Sequence, residues 1–353
     1  IHDSHDITGS KSILLITIDD KTFLWEPFSS RYEGVYKTER NLYKNSINHQ
    51  VVFEEINHDL SVTFQYAWTS CDRFGFIKKS RLINHHKQPV SIRLLDGIQN
   101  ILPAGADRKF QLEYSTLLDG YKRNELLPEA HLGLYTLSSI PTDRAEPSES
   151  LECSTVWMLG FENTTLLLSD NQLNALRKND VLEMENEIKG MRGAYFLESS
   201  FDLVPEQNKS WYLVADLNKN QSDVVALCHY LTSDSITAET LEEAVQASAA
   251  HLHKLISQAD GCQKSNDAFD DFRQVSNTLF NIMRGGLFDH HYQIDKDDFM
   301  TFVAEANFTL ANKYRGFISA LQHEVKLADL ITQAEALNDA DFEKLCYEYL
   351  PLT

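Results

Sequence analysis

The sequence predicts a mainly β protein with C-terminal helices: a large antiparallel sandwich followed by an all-α segment. Three observations predict it. Short apolar runs of strand length fill the chain up to about residue 230. Regular helical patterns are missing between most of those runs. Beyond about residue 237 the apolar residues recur instead at spacings of three and four.

The elements follow in order. Residues 13–18 form an apolar run that stops at Asp19-Asp20, and residues 51–53 form one that stops before Asn57-His58-Asp59. Residues 61–68 alternate with a period of two, as a half-buried strand does. Residues 74–77 and 90–95 come next, and Asp96-Gly97, a turn pair, predicts the end of that strand. Further runs lie at 132–137, 155–159, 164–168, 194–197 and 211–215. They are rich in β-branched and aromatic residues, which fit a pleated surface. Such a succession favours packed antiparallel sheets, and residues 173–186 leave room for a short helix.

The helical part begins where Thr237 can cap a helix carrying Glu239 in its first turn. Leu241, Ala244, Val245, Leu252, Leu255 and Ile256 fall on one face. A second stripe runs Phe269, Phe272, Val275, Leu279, Ile282 and Met283, and ends at Gly285-Gly286, a pair able to take a positive-φ cap. Asp295 or Asp297 can start a third helix, which buries Phe299, Phe302, Val303, Ala306, Leu310, Phe317 and Leu321. Residues 327–337 and 342–349 predict two shorter helices. The domain division expected is 1–234 for the sandwich and 235–353 for the helices.

Charge and motifs remove several functions. The net charge is −20, which opposes binding to nucleic acid or to an anionic membrane surface. No apolar run approaches the ~18 residues of a membrane helix. Five scattered cysteines without a CxxC predict free thiols and a cytoplasmic location. Neither a phosphate loop nor a nucleophile elbow is present, and no cofactor is expected. The pairs His85-His86 and His290-His291, and the spacing of His251 and His253, do not suit one metal. A calcium loop counted from Asp295 would need Gly where Met300 stands and Glu where Ala306 stands, so helix capping is the better use of these aspartates.

Three segments mix aromatic and polar residues in a way suited to sugars: 66–76, 93–103 and 277–289. Aromatic faces stack on the apolar side of a pyranose, while Arg, Asp and Asn hydrogen-bond its hydroxyls. The candidate carbohydrate contacts are Trp68, Arg73, Asp96, Asn100, Arg284 and Asp289.

The pattern Tyr66-x-Trp68-Thr69, then Arg73-x-Gly75-Phe76, then Val90-Ser91-Ile92-Arg93-Leu94 resembles the N-terminal β-supersandwich of the cellobiose phosphorylase-like enzymes, the inverting glycoside phosphorylases and their large relatives. Residues 284–292 are similar to the linker region of proteins near that family. The resemblance implies a galactose-mutarotase-like sandwich, then linker helices, then an (α/α)6 barrel that carries the catalytic carboxylate. The barrel has no counterpart here, so no catalytic residue carries over. The expectation is therefore a non-catalytic fragment of a longer carbohydrate-active enzyme. Its expected partners are an oligosaccharide, a C-terminal catalytic domain of the same polypeptide, and a second copy in a homodimer. Phe272, Leu279, Phe302 and Phe317 are expected to face the sandwich or the missing barrel. Two alternatives remain open: a free-standing carbohydrate-binding or scaffold module, and an aldose-epimerase-like enzyme.

Overall fold

The computed structural model of the chain describes residues 7–47, 49–106, 108–139, 150–233, 236–259, 261–287 and 292–350. These form two compact units, one of residues 7–45 and 49–248, the other of 46–47 and 249–350.

In the first unit β1 (Gly9–Ile18) and β2 (Lys21–Trp25) make a hairpin over Asp19 and Asp20, both at positive φ. β3 (Thr38–Lys44), β4 (Gln50–Asn57), β5 (Val62–Cys71) and β6 (Gly75–Asn84) follow as an antiparallel meander. β7 (Val90–Ile101) returns to pair with β1. Helices α1 (Arg108–Glu113) and α2 (Ser115–Tyr121) lead to β8 (Lys122–Leu127) and β9 (Leu132–Leu137). Then come β10 (Glu152–Leu159), β11 (Thr165–Leu167), α3 (Leu173–Arg177) and β12 (Glu187–Lys189). The long strands β13 (Gly193–Leu203) and β14 (Asn208–Asn220), helix α4 (Gln221–Thr232) and the first part of α5 (Ala238–Gln258) complete the unit.

The strands build a five-stranded sheet, β11-β13-β7-β1-β2, and a nine-stranded sheet, β12-β8-β9-β10-β14-β6-β5-β4-β3. Every pairing in them is antiparallel. Their inner faces share one core. Leu14, Ile16, Ile92, Leu94 and Leu197 meet Phe64, Leu82, Val156, Trp211 and Leu213. Both outer faces are covered too. Leu173 and Leu176 of α3 pack on Ile13, Leu15, Leu95 and Phe196. Ile236 and Leu241 pack with Ile77, Trp157 and Val214, joined by Leu227 and Leu231 of α4. This double cover explains why residues 13–16 are continuously apolar and all buried.

The mainly β sandwich with C-terminal helices is the fold observed. Several details differ from the sequence reading. Residues 21–25, 38–44 and 122–127 are strands that no apolar run announced, and the single helix expected from 295 to 321 is three short ones, with Ala306 exposed. The helix expected within 173–186 is confined to α3. Helices α1, α2 and α4 were not foreseen inside the β-rich part. β7 runs straight through Asp96-Gly97. There the chain lies between β13 and β1, with partners on both edges, so ladder bonds outweigh the local turn preference. Glycine is required at 97 for closeness instead: a Cβ would stand 2.1 Å from the Tyr195 carbonyl oxygen.

The second unit holds the rest of α5, α6 (Ala268–Gly285), β15 (Gln293–Asp295), α7 (Lys296–Ala306), α8 (Phe308–Lys313), α9 (Arg315–Ala320), β16 (Glu324–Lys326), α10 (Leu327–Glu335) and α11 (Ala340–Glu348). A two-stranded ribbon, β15 with β16, pairs Ile294 with Val325. Around it Phe299, Val303, Ile318, Leu330, Phe342 and Leu345 form a core. Asp295 caps α7 by accepting from the Asp297 and Asp298 amides at 2.9 and 3.0 Å. The Thr237 hydroxyl accepts from the Thr240 amide at the start of α5. Gly286 ends α6 at φ 83°. Phe302 and Phe317, expected to face another domain, pack within this unit instead. Phe302 lies 5.2 Å from the Tyr349 ring, and Phe317 meets Phe342 edge-on at 5.6 Å. Phe272 is exposed and Leu279 partly so.

Candidate carbohydrate-contact site

β5 and β6 are joined by Asp72, Arg73 and Phe74 before Gly75, which sits at φ 76°. A Cβ at Gly75 would come within 2.7 Å of the Ala215 carbonyl oxygen. Glycine therefore lets the turn lie flat against β14. The turn thereby places Arg73 at a cavity of about 240 Å³ on the helix-covered face of the nine-stranded sheet. Phe74, Trp157, Asp216, Lys219 and Tyr230 share its lining.

The Arg73 guanidinium stands 4.8 Å from the Phe74 ring centre and 5.9 Å from that of Tyr230. Stacking on rings uses the flat faces of the group and leaves its edge N–H donors for a ligand. Tyr230 is half exposed, whereas Trp157 is buried. Asp216 accepts from the Leu217 amide at 2.8 Å and pairs with Lys219 at 2.6 Å. Asp223 is spent in the capping box of α4 with Asn220. Burial and then the neighbouring Asp223 push the Cys153 thiol up to about 11. The arrangement offers an aromatic face, an exposed fork of donors and engaged carboxylates as acceptors.

The other sequence candidates lie elsewhere. Trp68 sits on the inner face of β5, as its period-two neighbours Phe64 and Tyr66 do, and its Nε1 donates to Ser10 Oγ at 3.3 Å. Trp68 and Arg73 are thus on opposite faces of the nine-stranded sheet. Asn100 takes φ 54° at a bulge in β7, where Gln99 and Ile101 pair with consecutive residues of β13. Its amide donates toward Thr8 Oγ1 at 3.4 Å. Trp68 and Asn100 therefore converge on residues 8–10, apart from the Arg73 cavity. Arg284 is exposed on α6 in the other unit, its guanidinium 5.2 Å from the Phe280 ring centre. Asp289 lies outside the described residues, as do His290 and His291.

Asp96 needs correction. It has no exposed surface and is not offered to a ligand. Its Oδ1 accepts from Ser12 Oγ and Lys78 Nζ, both at 2.6 Å. Its Oδ2 accepts from Ser80 Oγ at 2.9 Å and Trp211 Nε1 at 2.8 Å. Burial pushes Lys78 down, against the pull of Asp96. Burial, then Asp96, push Tyr66 up to about 12. Asp96 is thus a hub pinning the two sheets together.

The sequence reading missed Trp157, Asp216, Lys219 and Tyr230. Only the register of β14 with β6 and β10, which sets Ala215 opposite Phe76 and Val214 opposite Trp157, gathers them at Arg73. No local signal announces this. Among the described residues, no group of three His, Cys, Asp or Glu could hold a metal. No helix among them is long and apolar enough to cross a membrane.

Comparisons with known proteins add to this. A bacterial glucoamylase complexed with acarbose is 8% identical at a TM-score of 0.46, with 75% of this chain and 34% of that one covered. A putative kojibiose phosphorylase from the human microbiome is 10% identical at 0.38, with 75% and 31% covered. A family GH92 α-mannosidase from Bacteroides thetaiotaomicron is 9% identical at 0.32, with 69% and 28% covered. The chain spans about a third of the length of the first two. No curated protein matches it. Residues 288–351 match the family model of glycoside hydrolase family 149 insertion domain 1, and over that segment the chain is related to a carbohydrate-active enzyme family.

Proposed function

We propose that this chain is an accessory, sugar-contacting part of a carbohydrate-active enzyme of glycoside phosphorylase or hydrolase type. The observation that carries the reading is the match of residues 288–351 to a glycoside hydrolase insertion domain. The Arg73 cavity supplies the place of contact. Its guanidinium edge and half-exposed Tyr230 suit a pyranose, which presents hydroxyls at its rim and C–H groups on its faces. Support for a non-catalytic role comes from the carboxylates there: Asp216 and Asp223 are committed to a lysine and to a helix cap. The chemistry then belongs to a catalytic domain on the same polypeptide, with inversion at the anomeric carbon. Unpaired thiols favour a reducing compartment, the cytoplasm.

Titration with oligosaccharides tests the site. Arg73→Ala should weaken binding about tenfold, the worth of one charge-assisted hydrogen bond, without shifting the unfolding transition. Unchanged affinity removes the cavity from the contact surface. An aldose mutarotation assay on the purified chain tests the accessory role, and turnover by this chain unaided overturns it.

A further inference from the structure

A second cavity opens where the segment after β2 passes over β3 and β4. It measures about 280 Å³ and is lined by Trp25, Glu26, Tyr32, Tyr36, Arg40 and Glu55 among others. It shares no lining residue with the Arg73 cavity. Two of its glutamates are nearly closed from solvent, Glu26 at 3% and Glu55 at 2% exposure. Such burial of charge is costly unless each carboxylate is paired.

Each one is. Glu26 receives Arg177 through Nε at 2.6 Å and Nη2 at 3.0 Å. Glu55 accepts from Trp25 Nε1 at 3.0 Å, the Phe28 amide at 2.7 Å and Arg40 Nε at 2.7 Å. Arg40 also holds the Ser29 carbonyl oxygen at 3.1 Å, and Tyr36 OH holds that of Leu24 at 2.9 Å. The cavity floor is thus fixed before any ligand arrives. It presents donors and acceptors side by side, and its buried charges are already neutralised.

That balance selects the ligand chemistry. An anion would lie against three carboxylates, the buried Glu26 and Glu55 and the exposed Glu33 at the rim, and a cation at the floor would displace arginines already engaged. A neutral polyol suits both, because each hydroxyl donates and accepts at once. The volume is at the lower limit of small-molecule sites, ~300–1,000 Å³, so it fits one sugar ring rather than a chain segment. The half-buried Tyr32 adds an aromatic side chain to the lining.

We infer that this cavity is a second saccharide site, which takes a single neutral pyranose unit between Tyr32 and the Arg40–Glu55 pair. It rests on the sugar-binding reading and extends it. Two such sites on one unit would hold one polysaccharide more tightly than either alone, provided the chain spans them.

Calorimetric titration of the full chain with maltotriose, cellotriose and mannotriose tests it. The expected result is two equivalents of at least one probe per chain. Tyr32→Ala, at a wall residue outside the cores, should weaken one of them about tenfold and spare the other. Arg73→Ala should do the converse. Circular dichroism of each variant checks that it is folded. If Arg73→Ala removes all binding and Tyr32→Ala removes none, the second site is overturned and the first stands. If Tyr32→Ala alone acts, the Arg73 site fails and this one stands. No binding of any probe overturns both.

Discussion

Asp96 shows how a residue's environment fixes its role. It sits on β7 but gathers Ser12 from β1, Lys78 and Ser80 from β6 and Trp211 from β14, so one carboxylate joins both sheets. Removing one partner strands the others in a dry core. Asp96→Ala should cost about 3–5 kcal/mol in denaturant unfolding, because Lys78 is left buried without its partner. Ser80→Ala should cost about 1 kcal/mol, the net worth of one hydrogen bond. Replacing both charges, as in Lys78→Met with Asp96→Leu, should recover the part of the loss that comes from the stranded lysine, while Ser12, Ser80 and Trp211 stay without their acceptor. A double variant no more stable than Asp96→Ala alone would show that the pair contributes more than mutual compensation.

At the scale of elements, β7 and the cap of α11 make separate demands. Gly97→Ala sets a methyl against the Tyr195 carbonyl and the Phe196 ring, so β7 and β13 must part. Thermal unfolding should register a loss of about 3 kcal/mol from that overpacking. In α11, Asp339 accepts from the Asp341 and Phe342 amides. Lys313 and Tyr314 also donate to it, and they hold its carboxyl well below the usual carboxylate range. A depressed folded value means that the contribution is present above the unfolded value, about 4, and is lost as pH falls below it. Asp339→Asn keeps a capping oxygen but removes the charge. It should flatten the acid limb of the helical unit's stability curve, and an unaltered acid limb would exclude Asp339 as its source.

For the whole molecule, each unit has a core of its own. All four tryptophans, at 25, 68, 157 and 211, lie in the sandwich unit, so their fluorescence reports that unit alone. Phe342 is fully buried among Tyr314, Phe317 and the rest of the helical core. Phe342→Ala should remove about 3–5 kcal/mol there. It should lower the helical circular dichroism transition and leave the tryptophan transition in place. A matching shift of both would mean that the units unfold as one.

Much of this was legible in the residues themselves. The strand runs at 13–18, 61–68 and 90–95 and the helical stripes after 237 are local patterns, because a strand or helix repeats its burial every two or every 3.6 residues. The caps at Thr237 and Asp295 are local too, since a side chain reaches its own backbone within three positions. The turn signal at Asp96-Gly97 failed because paired neighbours on both edges outweigh it. Trp68 shares the face of Phe64 and Tyr66 by simple alternation, but that this face is the one turned to the other sheet was decided by packing. The Arg73 cavity draws on residues 73, 157, 216 and 230, and the Glu55 cavity on 25, 32, 40 and 55. The sequence by itself determined the β-then-α order of the chain, most of its buried strands and its C-terminal helical stripes, and that they can bury cores. Only the tertiary structure decided which polar groups are sealed between the sheets and which stand open at a cavity, because that depends on interstrand register and sheet packing, which no single stretch of chain encodes.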